Sequence, residues 1–296
     1  MNPQKRREAM TGYLFSLPWV VFFLVFLTYP LLLAFKMSFQ NISVTQANKA
    51  EFVGFGNWVA VVQDSLFWKA TFNVVYNQAI FIAVVFVVSL GLALLLKEIT
   101  KGGALIRTMY FLPVITSVAV SIIVFNMLSG PSGPIQQILI SLGILDKGVD
   151  WAFSKWWAMP VLALFNSWKW FAIQMIIFLG GLLSINPELY EAAEVDGASW
   201  WNRFCNVTLP MLKPQIVFVT TMNIINGMQM FSEVFMMFNL EGGPYHSGLT
   251  PVLYLYKKGF NEMNMGYAST VGIFLMLIIV FLTTVQWKLF NRKETN

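Results

Sequence analysis

Charge is scarce in this chain. Only 11% of its 296 residues are Asp, Glu, Lys or Arg, while 57% are hydrophobic and the mean hydropathy is +0.65. A soluble globular domain carries roughly 25% charged residues, so the chain cannot cover a water-facing surface, and the same composition excludes a disordered one. Histidine and cysteine are nearly absent, with one of each. A single cysteine excludes a disulfide framework, and a single histidine excludes His-rich metal sites and the two-histidine zinc helix. No Gly-Lys step occurs anywhere, so there is no P-loop lysine to reach nucleotide phosphates. His246 sits beside Gly243-Pro244-Tyr245 and Cys205 has no second thiol nearby; both read as packing or solvated residues. No catalytic residue, metal ligand or cofactor is expected on this chain. The net charge of +5 is spread over short loops, which reads as membrane orientation and not as a nucleic-acid surface.

What the chain has is long apolar runs. About 20 apolar residues cross a bilayer core of ~30 Å, and six runs reach that length: 13–35, 71–96, 108–128, 157–185, 215–238 and 267–287. Four carry no charge; the fourth holds only Lys169 and the fifth only Glu233. Without water in the core, backbone groups must pair within each segment, so these are helices. The expected fold is an all-α membrane protein of six transmembrane helices spanning 13–287, with short termini at 1–12 and 288–296. Lys and Arg are more than twice as dense in 1–12, 97–107, 186–214 and 288–296 as in the other connections. The positive-inside rule places that first set, and both termini, in the cytoplasm. The first span follows Lys5-Arg6-Arg7 as a signal peptide would but lacks a small-residue cleavage site, so it reads as a retained helix. Pro18, Pro30, Pro113 and Pro160 lie inside spans, where they bend helices or serve as gating hinges.

The loop at 186–212 is the most informative stretch. Asn186 can cap a helix, Pro187 suits its first position and Glu188 its dipole. That helix should run to about Asp196 and stop at Gly197 in the left-handed conformation. Ser199 can cap a second short helix through Trp200, Trp201 and Phe204, ended by Leu209-Pro210. Membrane-surface helices are usually rich in Lys and Arg, but this one carries Glu188, Glu191, Glu194 and Asp196. A hairpin of this kind suits docking into another protein.

Polar residues also lie within the spans, where a charge costs at least ~2.5 kcal/mol and faces a partner or a wet cavity. In the fifth span Asn226, Gln229 and Glu233 fall at spacings of three and four, and Ser232 is adjacent. In the fourth, Asn166, Trp170 and Gln174 stack on one stripe. Such a stripe suits a sugar, whose hydroxyls take hydrogen bonds while its C–H face stacks on the ring. Plain interhelical hydrogen bonding is the alternative, and it is the reading for Asn73, Asn77 and Gln78. Lys169 and Glu233 are a candidate pair.

Several segments together resemble a known family. Glu191-Ala192-Ala193, Asp196-Gly197-Ala198 and Leu209-Pro210 look like the EAA loop of ABC importer permeases. Phe52-Val53-Gly54-Phe55-Gly56-Asn57-Trp58, Arg107-Thr108-Met109-Tyr110-Phe111-Leu112-Pro113, Gly242-Gly243-Pro244 and Met265-Gly266-Tyr267-Ala268 resemble segments of its carbohydrate permeases of the MalF/UgpA-like type. The resemblance implies a translocation subunit with no ATPase of its own, importing an oligosaccharide or sugar derivative by alternating access. It makes 186–212 the coupling loop, with Glu191, Ala192, Ala193, Asp196, Gly197, Leu209 and Pro210 facing an ATPase. It also favours Gln229 and Ser232 as pathway residues, beside Asn166, Trp170, Asn226 and Glu233. The implied partners are a second, MalG-like permease, two ATP-binding subunits that hold ATP and Mg, an extracytoplasmic sugar-binding protein and the lipid bilayer. The alternative is a stand-alone secondary transporter or channel; a membrane-embedded enzyme is disfavoured by the missing side chains.

Overall fold

Backbone that enters lipid must pair with itself, and helices dominate the structure accordingly. The computed structural model describes residues 3–43, 50–99, 102–151 and 154–291. The expected cytoplasmic termini are thus described only in part: 1–2 and 292–296 lie outside the described residues, as do Lys49 and Lys101 of the loop-charge comparison. In chain order the elements are α1 (Pro3–Phe23), α2 (Tyr29–Ser38), β1 (Gln40–Asn41), β2 (Glu51–Phe52), α3 (Gly56–Gln63), α4 (Ser65–Glu98) and α5 (Gly103–Ile115). Then follow α6 (Val118–Ser129), α7 (Pro134–Ser141), α8 (Ala158–Ser184), α9 (Pro187–Val195), α10 (Trp200–Arg203), α11 (Leu209–Met211), α12 (Lys213–Met228), α13 (Ser232–Phe238), α14 (Pro251–Tyr256) and α15 (Met265–Asn291). The chain divides into two compact units, residues 1–65 with 255–274 and residues 66–254 with 275–296.

Five stretches among the described residues are long and apolar enough to cross a membrane: Met10–Ser38, Ser65–Glu98, Val118–Ser141 (α6 and α7 together), Ala158–Ser184 and Met265–Phe290. The sequence leads one to expect six uninterrupted helices, and the difference lies in two of them. The third expected span, 108–128, is cut at Thr116 and Ser117, which are extended. The fifth, 215–238, is cut between Met228 and Ser232.

In the first unit, α1 and α2 are joined by a π-turn at Leu24–Thr28, closed by Tyr29 N–H donating to Leu24 O. Pro30 comes next. A proline ring clashes with the carbonyl four residues back and supplies no N–H, and the wider turn displaces that carbonyl. Two of the segments that carry the family resemblance meet in this unit. Asn57 Nδ2 donates to Ser38 O at 3.1 Å and Gln40 O at 2.9 Å. Gly266 lies against the same Gln40 carbonyl, where a Cβ would stand only 1.9 Å from the oxygen. Met265 N–H donates to Ile42 O at 3.0 Å, Tyr267 Oη donates to Asp64, and Trp58 packs on Phe35, Phe39, Phe55 and Phe274.

The second unit is centred on α4 and α8. A core cluster of Leu90, Ala93, Met175, Phe178, Leu182, Leu212 and Val219 ties α4, α8 and α12 together. Asn77 donates to Met159 O at 2.8 Å, and Asn73 to His246 O at 2.9 Å and Leu249 O at 3.0 Å, so these two amides do bind elements to one another.

Lys169 is the surprise of this unit. Among the described residues no ion pair joins it to Glu233. Its side chain is 1% exposed, and Nζ donates to Pro113 O at 2.9 Å, Thr116 O at 3.0 Å and Ser121 Oγ at 3.0 Å. A helix end leaves carbonyls unpaired and carries partial negative charge. The ammonium, with three donors and no acceptor, answers both at the end of α5. Lys169→Met is expected to destabilise the chain by about 3 kcal/mol, because it strands buried acceptors of a charge-assisted network. The check is the thermal midpoint in detergent, which should fall for Lys169→Met and stay unchanged for Glu233→Gln; a comparable fall in both would restore the Lys169–Glu233 pairing.

Candidate functional site

Two features of the second unit invite chemistry. The first is the hairpin after α8. Asn186 accepts from Glu188 N–H at 3.1 Å, with Pro187 at the first helical position. At the other end Ala198 N–H donates to Ala193 O at 2.9 Å and Gly197 N–H to Glu194 O at 3.0 Å, the paired bonds of a Schellman cap. Gly197 has φ +74°, and nothing lies within 4 Å of where its Cβ would be. Backbone conformation alone therefore demands glycine there. Ser199 then caps α10 by accepting from Asn202 N–H at 3.3 Å. One expectation needs correcting: Leu209-Pro210 does not end the second helix. A π-turn at Phe204–Thr208 precedes Pro210, as one precedes Pro30, and the chain runs on through α11 into α12.

The hairpin is anchored from one side and bare on the other. Tyr190, Phe204 and Leu209 pack on the core cluster, Tyr190 Oη hydrogen-bonds Thr208 Oγ1 at 3.0 Å, and Arg203 pairs with Glu194 at 2.8 Å. Glu191, Ala192 and Asp196 are exposed. So are Leu189, Val195, Trp200 and Trp201, the last two at 61% each. Acids and large apolar side chains are thus both exposed on the hairpin.

The second feature is a cavity of about 580 Å³ within the unit, walled by α4, α8, α12 and α13. Asn166, Trp170, Asn226 and Glu233 all line it, so four of the six residues singled out in the sequence share one space. Gln229 and Ser232 do not line it; both are exposed at the break between α12 and α13. The periodicity that placed 226, 229 and 233 on one face assumed a continuous helix, and the break cancels it. At that break Thr250 Oγ1 donates to Met230 O at 3.1 Å, satisfying a freed carbonyl. The stripe on α8 holds because α8 is unbroken.

Sequence reasoning missed Gln78, which also lines the cavity, and the amide pair of Gln174 and Asn223, each donating to the other at 2.9 and 3.3 Å. A signal for Gln78 existed: adjacent helical residues point about 100° apart, so Asn77 and Gln78 cannot serve the same neighbour.

Interrupted spans around a largely apolar cavity set with a few amides and a carboxyl, with an acid-bearing hairpin projecting from the same core, define a multi-pass membrane protein built for solute passage. Comparison with known proteins agrees. The chain is 35% identical to the arabinooligosaccharides transport system permease protein AraP of Halalkalibacterium halodurans, over 94% of this chain and 87% of that one. It is 32% identical to the lactose transport system permease protein LacF of Rhizobium radiobacter, over 96% and 95%. A solved bacterial ABC transporter involved in the import of the acidic polysaccharide alginate shares the fold, with a TM-score of 0.82, 24% identity and 98% coverage of both chains. Residues 8–296 match the family described as the binding-protein-dependent transport system inner membrane component, and the chain belongs to that family.

Proposed function

We propose that the chain is one permease subunit of an ATP-driven ABC importer that carries a carbohydrate, an oligosaccharide or sugar derivative, from a binding protein into the cytoplasm. The observation that carries this reading is the cavity of Asn166, Trp170, Asn226 and Glu233, built on the same helices that hold the exposed acid hairpin. Relatives over nearly the whole chain are named for sugar transport, which supports the substrate class. ATP and Mg would be held by two ATP-binding subunits seated on the hairpin at Glu191, Ala192, Ala193, Asp196 and Gly197, with Leu209 and Pro210 steering it into α12. A second, MalG-like permease would cover the face carrying Gln229 and Ser232 and extend the pathway from the cavity. An extracytoplasmic sugar-binding protein would deliver the solute, and both termini would lie in the cytoplasm. Alternating access requires each ligand to favour one state; nucleotide would act through the hairpin and sugar through the cavity. A stand-alone secondary transporter would need an intramembrane ion-coupling pair, and Lys169 is committed to the end of α5 instead.

Purification of the tagged chain from native membranes in mild detergent tests the reading. Recovery of a second permease and an ATPase is expected; a chain that purifies alone and moves solute without ATP would sink it. Gly197→Val places a branched residue at positive φ, costing about 1–2 kcal/mol locally, and should abolish uptake while the chain stays in the membrane. Wild-type uptake by that variant would remove the Schellman cap from coupling. Gln229→Ala should lower uptake in an assembled complex, and unaltered uptake across several sugars would take Gln229 out of the pathway.

A further inference from the structure

The short helix α7 presents three different sides, and the protein covers only one of them. The chain turns sharply to enter it: Gly133 N–H donates to Gly130 O at 2.8 Å, and a Cβ at Gly133 would collide with the carbonyls of Met127 and Leu128. Gln136 then pins the helix down. It is fully buried; its Nε2 donates to Ser129 O at 2.6 Å and Val149 O at 2.7 Å, and its Oε1 accepts from Val149 N–H at 2.7 Å. Trp151 Nε1 donates to the same Ser129 carbonyl, one of the terminal oxygens that α6 cannot pair within itself. Leu139 and Ile140 are half-buried and fall on the Gln136 side of the helix. Ile135, Ile138 and Leu142 lie on a second side, exposed at 45, 58 and 67%. Gln137 and Ser141 share a third side and are exposed as well.

Ring contacts fix where this helix stands. Along α8, Tyr110 of α5 meets Phe171, the end of α5 meets Lys169, and Phe125 of α6 meets Phe165. Thus α5 and α6 run toward the start of α8, away from the end that leads into the hairpin. The 27 residues of α8 reach ~40 Å against a bilayer core of ~30 Å, so α7 stands at the opposite membrane surface from the hairpin. Trp156 and Trp157, both exposed, immediately precede α8, and tryptophan is enriched where a membrane meets water. Just before the turn, α6 itself is bare at Ile123, Met127 and Leu128, so exposed apolar surface leads up to α7.

We propose that α7 lies along the membrane–water boundary opposite the hairpin, with Ile135, Ile138 and Leu142 in lipid and Gln137 and Ser141 in water. A helix whose free surface is apolar on one side and polar on the next fits a boundary, and neither a purely aqueous nor a purely apolar surrounding. Free amphipathic helices also use basic residues to reach a membrane. α7 carries no charge and needs none, because the spans before and after it already hold it at the surface. Lipid contact thereby steadies the end of α6 through Gln136, and α6 packs on α13, the helix that carries Glu233 to the cavity.

The test uses the protein purified with its partners and placed in lipid nanodiscs. In a Cys205→Ser background, Ile138→Cys and Gln137→Cys are each labelled with bimane. Two quenchers are compared: phospholipid brominated high in the acyl chain, and iodide in the water. Brominated lipid should quench the probe at 138 about threefold more strongly than the probe at 137, with iodide showing the reverse order. Equal quenching of both positions by iodide would put α7 in water and overturn the proposal. A probe at 138 that neither quencher reaches would also overturn it, in favour of a protein partner covering that side. The readout requires only that the chain sit in a bilayer, so it is independent of which solute is carried.

Discussion

A carbonyl released inside an apolar span has no water to bond, and the second unit is organised around that constraint. Each interruption of a span is answered from another element. Lys169 on α8 supplies the end of α5, and Thr250 supplies the gap after α12. The membrane therefore holds polar residues for two different reasons, and residue type does not separate them. Lys169 is the most conspicuous charge in the spans and serves the backbone. Gln78 is an ordinary amide in an apolar helix, yet it lines the cavity.

Proline is accommodated by a related device, used twice. At Pro30 and at Pro210 a π-turn of five residues comes first, and the proline is the second residue after it. The wider turn moves the carbonyl that the ring would strike. The chain stays helical where a plain reading of proline would end the helix. Pro113 is treated differently: α5 ends two residues later, and Thr116 and Ser117 are extended. Ser117 restarts the helix by accepting from Val120 N–H at 3.3 Å, and Lys169 closes the other side.

These contrasts show what the amino-acid order makes legible. The positions of the apolar runs and the caps at Asn186, Gly197 and Ser199 could be read directly, because each depends on residues within a few places of one another. The helix face shared by Asn166 and Trp170 was also legible, since α8 runs unbroken. The interruptions were not, because the break near Thr116 is stabilised by a lysine 53 residues away and the one after Met228 by Thr250. The cavity partners fail for the same reason: Gln78 is placed by Gly227, far along the chain. Local chemistry is written locally, whereas the cavity is assembled from helices whose pairing the pattern of any one of them does not reveal.

The remaining step is how a hairpin outside the spans can reach that cavity. No flexible linker separates them. From α10 the chain passes through the π-turn and α11, and α12 starts at Lys213, directly after Leu212. Tyr190 and Phe204 of the hairpin are embedded in the cluster that contains Leu212 and Val219, and Val219 also lines the cavity. Slack is limited on the opposing helix, where a Cβ at Gly181 would come within 2.7 Å of Leu212 and 2.8 Å of Gln215. Close-packed interiors transmit displacement instead of absorbing it. α9 and α12 are packed into one cluster with little room between them. Because α13 is a separate helix, the cavity wall at Asn223 and Asn226 belongs to a different element from Glu233. Transmission of this kind needs an element with two stable arrangements, and an interrupted span whose freed carbonyl is held by a single hydroxyl is well suited to be one.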